Sequence, residues 1–139
     1  MTVALSTDAA QSGWLKIRIV GDAAAVGLLG QVYNPEGVLL HINRGFVHII
    51  TGATNAGVLL CGVAATGVSN SDLLATLAFN QTANTVWQVV GQDLASEGAA
   101  TTPKGLLWPA TSYLTITNSV AACTTTLVAD LYLQFIRLA

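Results

Sequence analysis

The sequence predicts an all-β protein, an antiparallel β-sandwich with a flexible N-terminal arm. Short runs in which apolar residues alternate between two faces recur along the chain, at spacings of about 8 to 15 residues. Breakers rich in Gly, Asn and Ser separate these runs, for example at residues 67–70 and 80–84. This spacing is typical of sandwiches and barrels, and it disfavours folds in which strands alternate with helices.

The chain divides into an arm, residues 1–13, and one sandwich domain, residues 14–139. The arm is polar and rich in small residues, and it has neither the basic start nor the apolar centre of a secretory signal. A chain of 139 residues fits a single domain. No window reaches 18 unbroken apolar residues, so we expect no membrane-spanning helix.

Nine strands are predicted. A hairpin turn is expected at Asn43-Arg44-Gly45, where Gly suits a positive φ. Residues 22–29 are interpreted as a loop, with a short helical turn left open. Strand is favoured over helix for Ser71–Phe79, because its leucines alternate with smaller residues. The predicted strands are 14–20, 37–42, 46–50, 58–64, 73–79, 85–90, 106–108, 112–117 and 127–138.

The last strand predicts a covered outer surface. One side of its period-two pattern is wholly apolar, and the other side carries Asp130 and Gln134 but also Val128, Tyr132 and Ile136. Apolar residues on both sides indicate that a second subunit or sheet covers the outer one. Together with Trp14, which starts the first strand, these three apolar residues are the candidate interface with a neighbouring protein.

Charge is scarce throughout the chain. It has five basic and seven acidic residues, a net charge of −2, and no charged residue from Gly45 to Ser71 or from Gly105 to Ala129. Soluble domains usually carry about a quarter charged residues. So little charge favours a subunit that neighbours cover, and the scattered basic residues argue against a nucleic-acid partner.

Chemistry-bearing motifs are missing from the sequence. His41 and His48 flank the predicted turn and would approach each other in a hairpin, but ordinary hydrogen bonding is favoured over a metal site because further ligands are lacking. No nucleophile elbow, phosphate loop or carboxylate pair occurs, so we expect neither an enzyme nor a cofactor. Cys61 and Cys123 are interpreted as buried small residues rather than as a disulfide.

The tryptophans leave a second function open. Aromatic platforms bind sugars when polar side chains lie beside them. Only Trp87 has suitable polar residues nearby in the sequence, namely Gln88, Gln92 and Asp93. A core or interface role is favoured for Trp14, Trp87 and Trp108. The alternative is a carbohydrate-binding head or fibre domain. An enzyme of a β-sandwich class is the least favoured third possibility.

The C-terminal block resembles a known family. Tyr113–Ser119, a hairpin rich in small residues, and the closing strand Leu127–Ile136 are similar to the jelly-roll decoration, or cement, proteins of tailed bacteriophage capsids. The resemblance implies a homotrimer that binds the outside of the capsid and stabilises contacts between major capsid proteins. It also implies location on the virion surface after assembly in the host cytoplasm, with Trp14, Val128, Tyr132 and Ile136 as the candidate subunit or capsid interface. Because of the charge and the lack of a long apolar run, neither nucleic acid nor a membrane is expected as a partner.

Overall fold

The computed structural model describes residues 12–21, 27–54, 57–65, 74–78, 83–88, 106–119 and 127–138. These ranges contain strands and no helix, which confirms the all-β prediction. The strands are β1 (Ser12–Val20), β2 (Gly27–Tyr33), β3 (Leu40–Thr51), β4 (Val58–Ala64), β5 (Leu74–Ala78), β6 (Thr85–Gln88), β7 (Leu106–Trp108), β8 (Tyr113–Ser119) and β9 (Val128–Arg137).

Two antiparallel sheets form a sandwich. Sheet A has the order β1-β9-β3-β6, and β7 also pairs with β3. Sheet B has the order β2-β8-β4-β5. Each sheet turns alternate side chains inward, as period-two strands dictate. The predicted antiparallel sandwich is therefore confirmed.

The core lies between the inner faces of the two sheets. Strand β9 supplies Leu131, Leu133 and Phe135, each no more than 5 % exposed, so the wholly apolar side of the last strand does point inward. Sheet B contributes from β4 and β8. Its buried members are Leu59, Cys61, Leu114 and Ile116. Cys61 is thus a core residue, as predicted, whereas Cys123 lies outside the described residues.

The predicted hairpin at Asn43-Arg44-Gly45 is wrong. Strand β3 runs through these residues without turning, because both of its halves pair with the same neighbour, β9. The register shifts between Ile42 and Arg44, which marks a β-bulge at Asn43. A bulge accommodates an extra residue while the strand continues. Breaker residues at a bulge and at a turn are alike in sequence, so the pattern did not distinguish the two.

Strand β2 is absent from the prediction. Residues 27–29 were expected in a loop, yet Gly27 begins a strand that pairs with β8. A register shift between Leu28 and Gly30 interrupts the alternation, and Gly27 has a φ of 138°. Both features hide the period-two signal. The possible helical turn at residues 22–26 lies outside the described residues.

Two other predictions differ from the structure in their bounds. The strand favoured for Ser71–Phe79 is confirmed over Leu74–Ala78. Strand β1 begins at Ser12, so Ser12 and Gly13 of the predicted arm belong to it. Residues 1–11 of that arm lie outside the described residues.

A buried asparagine fastens one end of the sandwich. Asn34, 3 % exposed, donates from Nδ2 to the carbonyl oxygens of Val38 (2.9 Å), Trp108 (3.0 Å) and Pro109 (3.1 Å). Its Oδ1 accepts hydrogen bonds from the backbone N–H groups of residues 36 and 37. The side chain thereby joins the β2–β3 connection to β7. Trp108 is fully buried at this corner, where its indole Nε1 donates to the carbonyl oxygen of Ser112 (3.1 Å).

Candidate interaction surface

All four predicted interface residues lie on one surface, the outer face of sheet A. Cross-strand partners share a face, and alternate residues of the same strand return to it. Trp14, Val128, Tyr132 and Ile136 therefore point away from the core. The described members of this face are Trp14, Lys16, Arg18 and Val20 on β1; Val128, Asp130, Tyr132, Gln134 and Ile136 on β9; His41, Arg44, Phe46, His48 and Thr51 on β3; Val86 on β6; and Leu107 on β7.

An aromatic cluster of Trp14, Phe46 and Tyr132 occupies the middle of this face. Phe46 and Tyr132 are stacked, with ring centroids 4.8 Å apart and an interplanar angle of 20°. Trp14 is tilted against Phe46, at 6.1 Å and 58°. Trp14 remains 51 % exposed, whereas the other two are half-buried. Large exposed aromatics of this kind are typical anchors of protein interfaces.

Phe46 is the member of the cluster that the sequence analysis missed. It was assigned to a strand, but the predicted hairpin gave no reason to place it beside Tyr132. The register of β3 against β9 makes the two residues direct partners. Only the pairing of strands distant in sequence brings these rings together.

An ion cluster lies beside the aromatic cluster. The Asp130 side chain is only 3 % exposed and accepts hydrogen bonds from Arg18 Nε (2.5 Å) and Nη2 (3.1 Å). Lys16 Nζ lies 3.4 Å from Asp130 Oδ2. The hydrogen bond from Arg18 lowers the pKa of Asp130 below its ordinary value, against the opposing effect of burial, and the same bond raises the pKa of Arg18.

The outer face of sheet A is basic. Its described residues include three cations, Lys16, Arg18 and Arg44, and one carboxylate, that of Asp130. Lys16 and Arg18 have side chains 53 % and 51 % exposed, and Arg44 is also exposed. This face therefore has an excess of two positive charges, although the whole chain has a net charge of −2. An acidic surface is the electrostatic complement of such a face.

The outer face of sheet B differs in charge. Its described residues on β2, β4 and β8 include none that is charged. Tyr33 and Tyr113 pack edge to face at its end, with centroids 5.1 Å apart, and Leu28 is 45 % exposed. Thr115 and Thr117 are buried in the central strand. Two copies of an uncharged face meet without like-charge repulsion.

The two histidines do not form a site together. His41 and His48 lie on the same strand, roughly 20 Å apart at the usual rise per residue. In the part of the chain that the structure describes, no three or more residues of the types His, Cys, Asp and Glu gather closely enough to hold a metal ion. The approach of the two histidines expected from a hairpin is wrong for the same reason as the hairpin itself.

The candidate sugar platform lies mostly beyond the described side chains. Trp87 belongs to β6 and is the cross-strand partner of Val47, while Gln92 and Asp93 lie outside the described residues. The carbohydrate-binding alternative therefore stays a prediction. Within the described ranges, no helix has the length and apolar character needed to cross a membrane.

The comparisons with known proteins concern the fold. No family model matches the chain, and no curated protein matches its sequence. Among solved structures, the chain is similar to one in the capsid of Ralstonia phage GP4, with a TM-score of 0.56 and 11 % sequence identity. The match covers 99 % of this chain and 92 % of that chain. At so low an identity the likeness shows one thing, that the two chains share a fold over nearly their whole lengths.

Proposed function

We propose that the protein is a structural component of a bacteriophage virion. More specifically, it is a decoration or cement protein that binds the outside of the capsid as a homotrimer and stabilises contacts between major capsid proteins. The observation that carries the proposal is the fold shared with a chain of a phage capsid, which extends over 99 % of this chain and 92 % of that chain.

The order of the strands supports the jelly-roll type within this proposal. Sheet A has the order β1-β9-β3-β6 and sheet B the order β2-β8-β4-β5, so successive strands such as β1 and β2, β3 and β4, and β8 and β9 alternate between the sheets. Double-sheet jelly rolls of eight strands are a recurrent architecture of viral capsid proteins.

The two outer faces support two kinds of contact. The exposed described residues of the outer face of sheet B, such as Leu28, Gln31 and Tyr33, are uncharged and suit contact between identical copies, because they present no like charges to a neighbour. The basic, aromatic face of sheet A suits a different and acidic partner, for which the proposal names the major capsid protein. Neutral surfaces associate without the large desolvation penalty of buried ions.

Two measurements test the proposal. Light scattering at micromolar concentration is expected to give three times the mass of one chain. Capsids assembled from the major capsid protein of the same phage genome are expected to co-sediment with the protein and to resist heat better with it bound. A monomer that leaves the capsids unbound and no more stable contradicts the proposal.

A matched pair of variants tests which surface faces the capsid. Trp14→Ala removes an anchor of the outer face of sheet A, and we expect at least a tenfold loss of capsid affinity, typical of an interface hot spot. Leu138→Ala is the control, since Leu138 is 50 % exposed, close to the 51 % of Trp14, but lies beyond the end of β9. Equal losses in both variants would contradict this orientation.

A further inference from the structure

Strand β1 is a long and regular edge. It pairs with β9 from Ser12 to Val20 without a register shift, and it contains no proline. Among the described strands, β9 is its only hydrogen-bonding neighbour. Every second residue of an edge strand turns its N–H and C=O groups outward, where they template another strand unless a bulge, a proline or a covering element prevents it.

A cleft opens beside this edge. It has a volume of about 170 Å³ and lies between β1 and β2, the edge strands of the two sheets. Its apolar lining comes from both sheets, and Arg18 and Gln31 also border it. The apolar lining residues that matter here are Ile17, Ile19, Leu29, Val32 and Ile116. A strand added to β1 would turn every second side chain into this cleft.

The charge of β1 decides what fits this edge. Lys16 and Arg18 stand at alternate positions on the outer face of sheet A. If β1 paired antiparallel with β1 of a second copy in a register centred on residues 16–18, these cations would oppose one another at about 5 Å between Cβ atoms, which is destabilising. Carboxylates opposite the same positions are favourable. The edge therefore disfavours its own copy and favours an acidic segment.

We propose that the edge of β1 opposite β9 binds an extended protein segment in which Asp or Glu alternates with apolar residues. Its carboxylates contact Lys16 and Arg18, its apolar side chains enter the cleft, and its backbone continues sheet A. The proposal rests on the proposed function in one respect: the segment belongs to a neighbouring virion protein. Main-chain hydrogen bonds supply affinity in this mode, and the alternating side chains supply specificity.

Synthetic peptides added to the full-length protein test the proposal. The probe is a nine-residue peptide alternating Glu and Val, and its controls carry Lys in place of Glu or proline in the centre. We expect the acidic peptide to bind about tenfold or more tightly than the Lys peptide, as two reversed cross-strand charge pairs imply. It should slow hydrogen exchange at alternate amides of β1, and the proline peptide should not.

Two charge reversals locate the contact. Lys16→Glu leaves one anion and one cation, Arg18, on this face of β1, so it is expected to abolish the preference for the acidic peptide over the Lys peptide. Arg44→Glu makes the same charge change on the same face but two strands away, roughly 10 Å from the edge, and should alter affinity by less than about twofold. Circular dichroism and thermal unfolding of each variant establish that it is folded.

Three results would overturn the proposal: equal binding of the acidic and Lys peptides, protection confined to strands other than β1, or cross-linking of β1 to β1 of a second copy in solution. A different result would contradict the proposed virion role. If the acidic peptide binds at β1 but the protein does not bind capsids, this inference is retained and the proposed function is contradicted. Capsid binding unaffected by saturating acidic peptide, with no exchange protection in β1, would do the reverse.

Discussion

Arg18 and Asp130 are direct cross-strand partners on β1 and β9, and they share two charge-assisted hydrogen bonds. The two residues differ greatly in burial, since the Asp130 side chain is 3 % exposed and that of Arg18 is 51 % exposed. Arg18 thus covers the one carboxylate among the described residues of the outer face of sheet A. The pairing also attaches the edge strand β1 to the centre of its sheet.

The first prediction concerns stability at acid pH. The pKa of Asp130 is lowered in the folded protein from its ordinary value of 3.8, chiefly by the hydrogen bond from Arg18. A lowered pKa contributes stability that is present above the unfolded value and lost as pH falls toward the folded value. We therefore expect the free energy of unfolding to fall as pH drops below about 4.

Asp130→Asn should be less stable than the wild type at neutral pH and should lose less stability between pH 5 and about 2. Urea unfolding across this range measures both effects. Arg44→Gln is the control, because it removes a cation of the same face that lies outside the ion cluster, and it should retain the wild-type acid dependence. An unchanged acid dependence in Asp130→Asn would refute the assignment.

The second prediction compares two threonines of β8. Thr115 Oγ1 donates to the carbonyl oxygen of Gly62 at 3.2 Å, whereas Thr117 Oγ1 is buried without a hydrogen-bond partner among the described residues. Thr115→Val should lower the free energy of unfolding by about 1 kcal/mol, while Thr117→Val should leave it unchanged or raise it by up to about 1 kcal/mol. Chemical denaturation of both variants checks this, and a larger loss for Thr117→Val contradicts it.

The third prediction concerns a close approach of backbone and ring. A Cβ at Gly13 would lie 2.8 Å from Cζ of Phe135, whose side chain is buried in the core. Gly13→Ala should therefore cost about 1–3 kcal/mol through overpacking. Gly30→Ala is the matched control, since no atom lies within 4 Å of its added Cβ. It should change stability by less than about 0.5 kcal/mol.

A double-mutant cycle tests the cause of the Gly13 effect. In a Phe135→Leu background the smaller side chain leaves space, so Gly13→Ala should cost less than it does alone. Thermal or urea unfolding of the four proteins supplies the coupling energy. Strictly additive losses would show that the ring contact is not the reason.

The fourth prediction addresses the buried Asn34. Its side-chain amide donates to three carbonyl oxygens and accepts from two backbone N–H groups. Asn34→Ala leaves these buried polar groups without partners, so it should lower the free energy of unfolding by about 2–4 kcal/mol. Asn34→Asp should cost more, because a carboxylate cannot donate to those carbonyls. Asn43→Ala, at the exposed bulge of β3, is the control and should change stability by less than about 0.5 kcal/mol. Similar losses at both asparagines would contradict this account.

The sequence by itself determined the all-β class, seven of the nine described strands in outline, and which side of β9 faces the core. It did so because burial of alternate residues imposes period two on a strand. It also placed Val128, Tyr132 and Ile136 on outward positions, where the structure has them. These are local properties, which the pattern of neighbouring residues is enough to predict.

The tertiary structure decided what depends on pairing between distant strands. It turned the predicted hairpin at Asn43-Arg44-Gly45 into one bulged strand and revealed β2, whose glycines and bulge conceal its alternation. It also joined Phe46 to Tyr132 and Arg18 to Asp130, pairs 86 and 112 residues apart in the sequence. Register is a cooperative property of two strands packed over a common core, so no single stretch of sequence carries it.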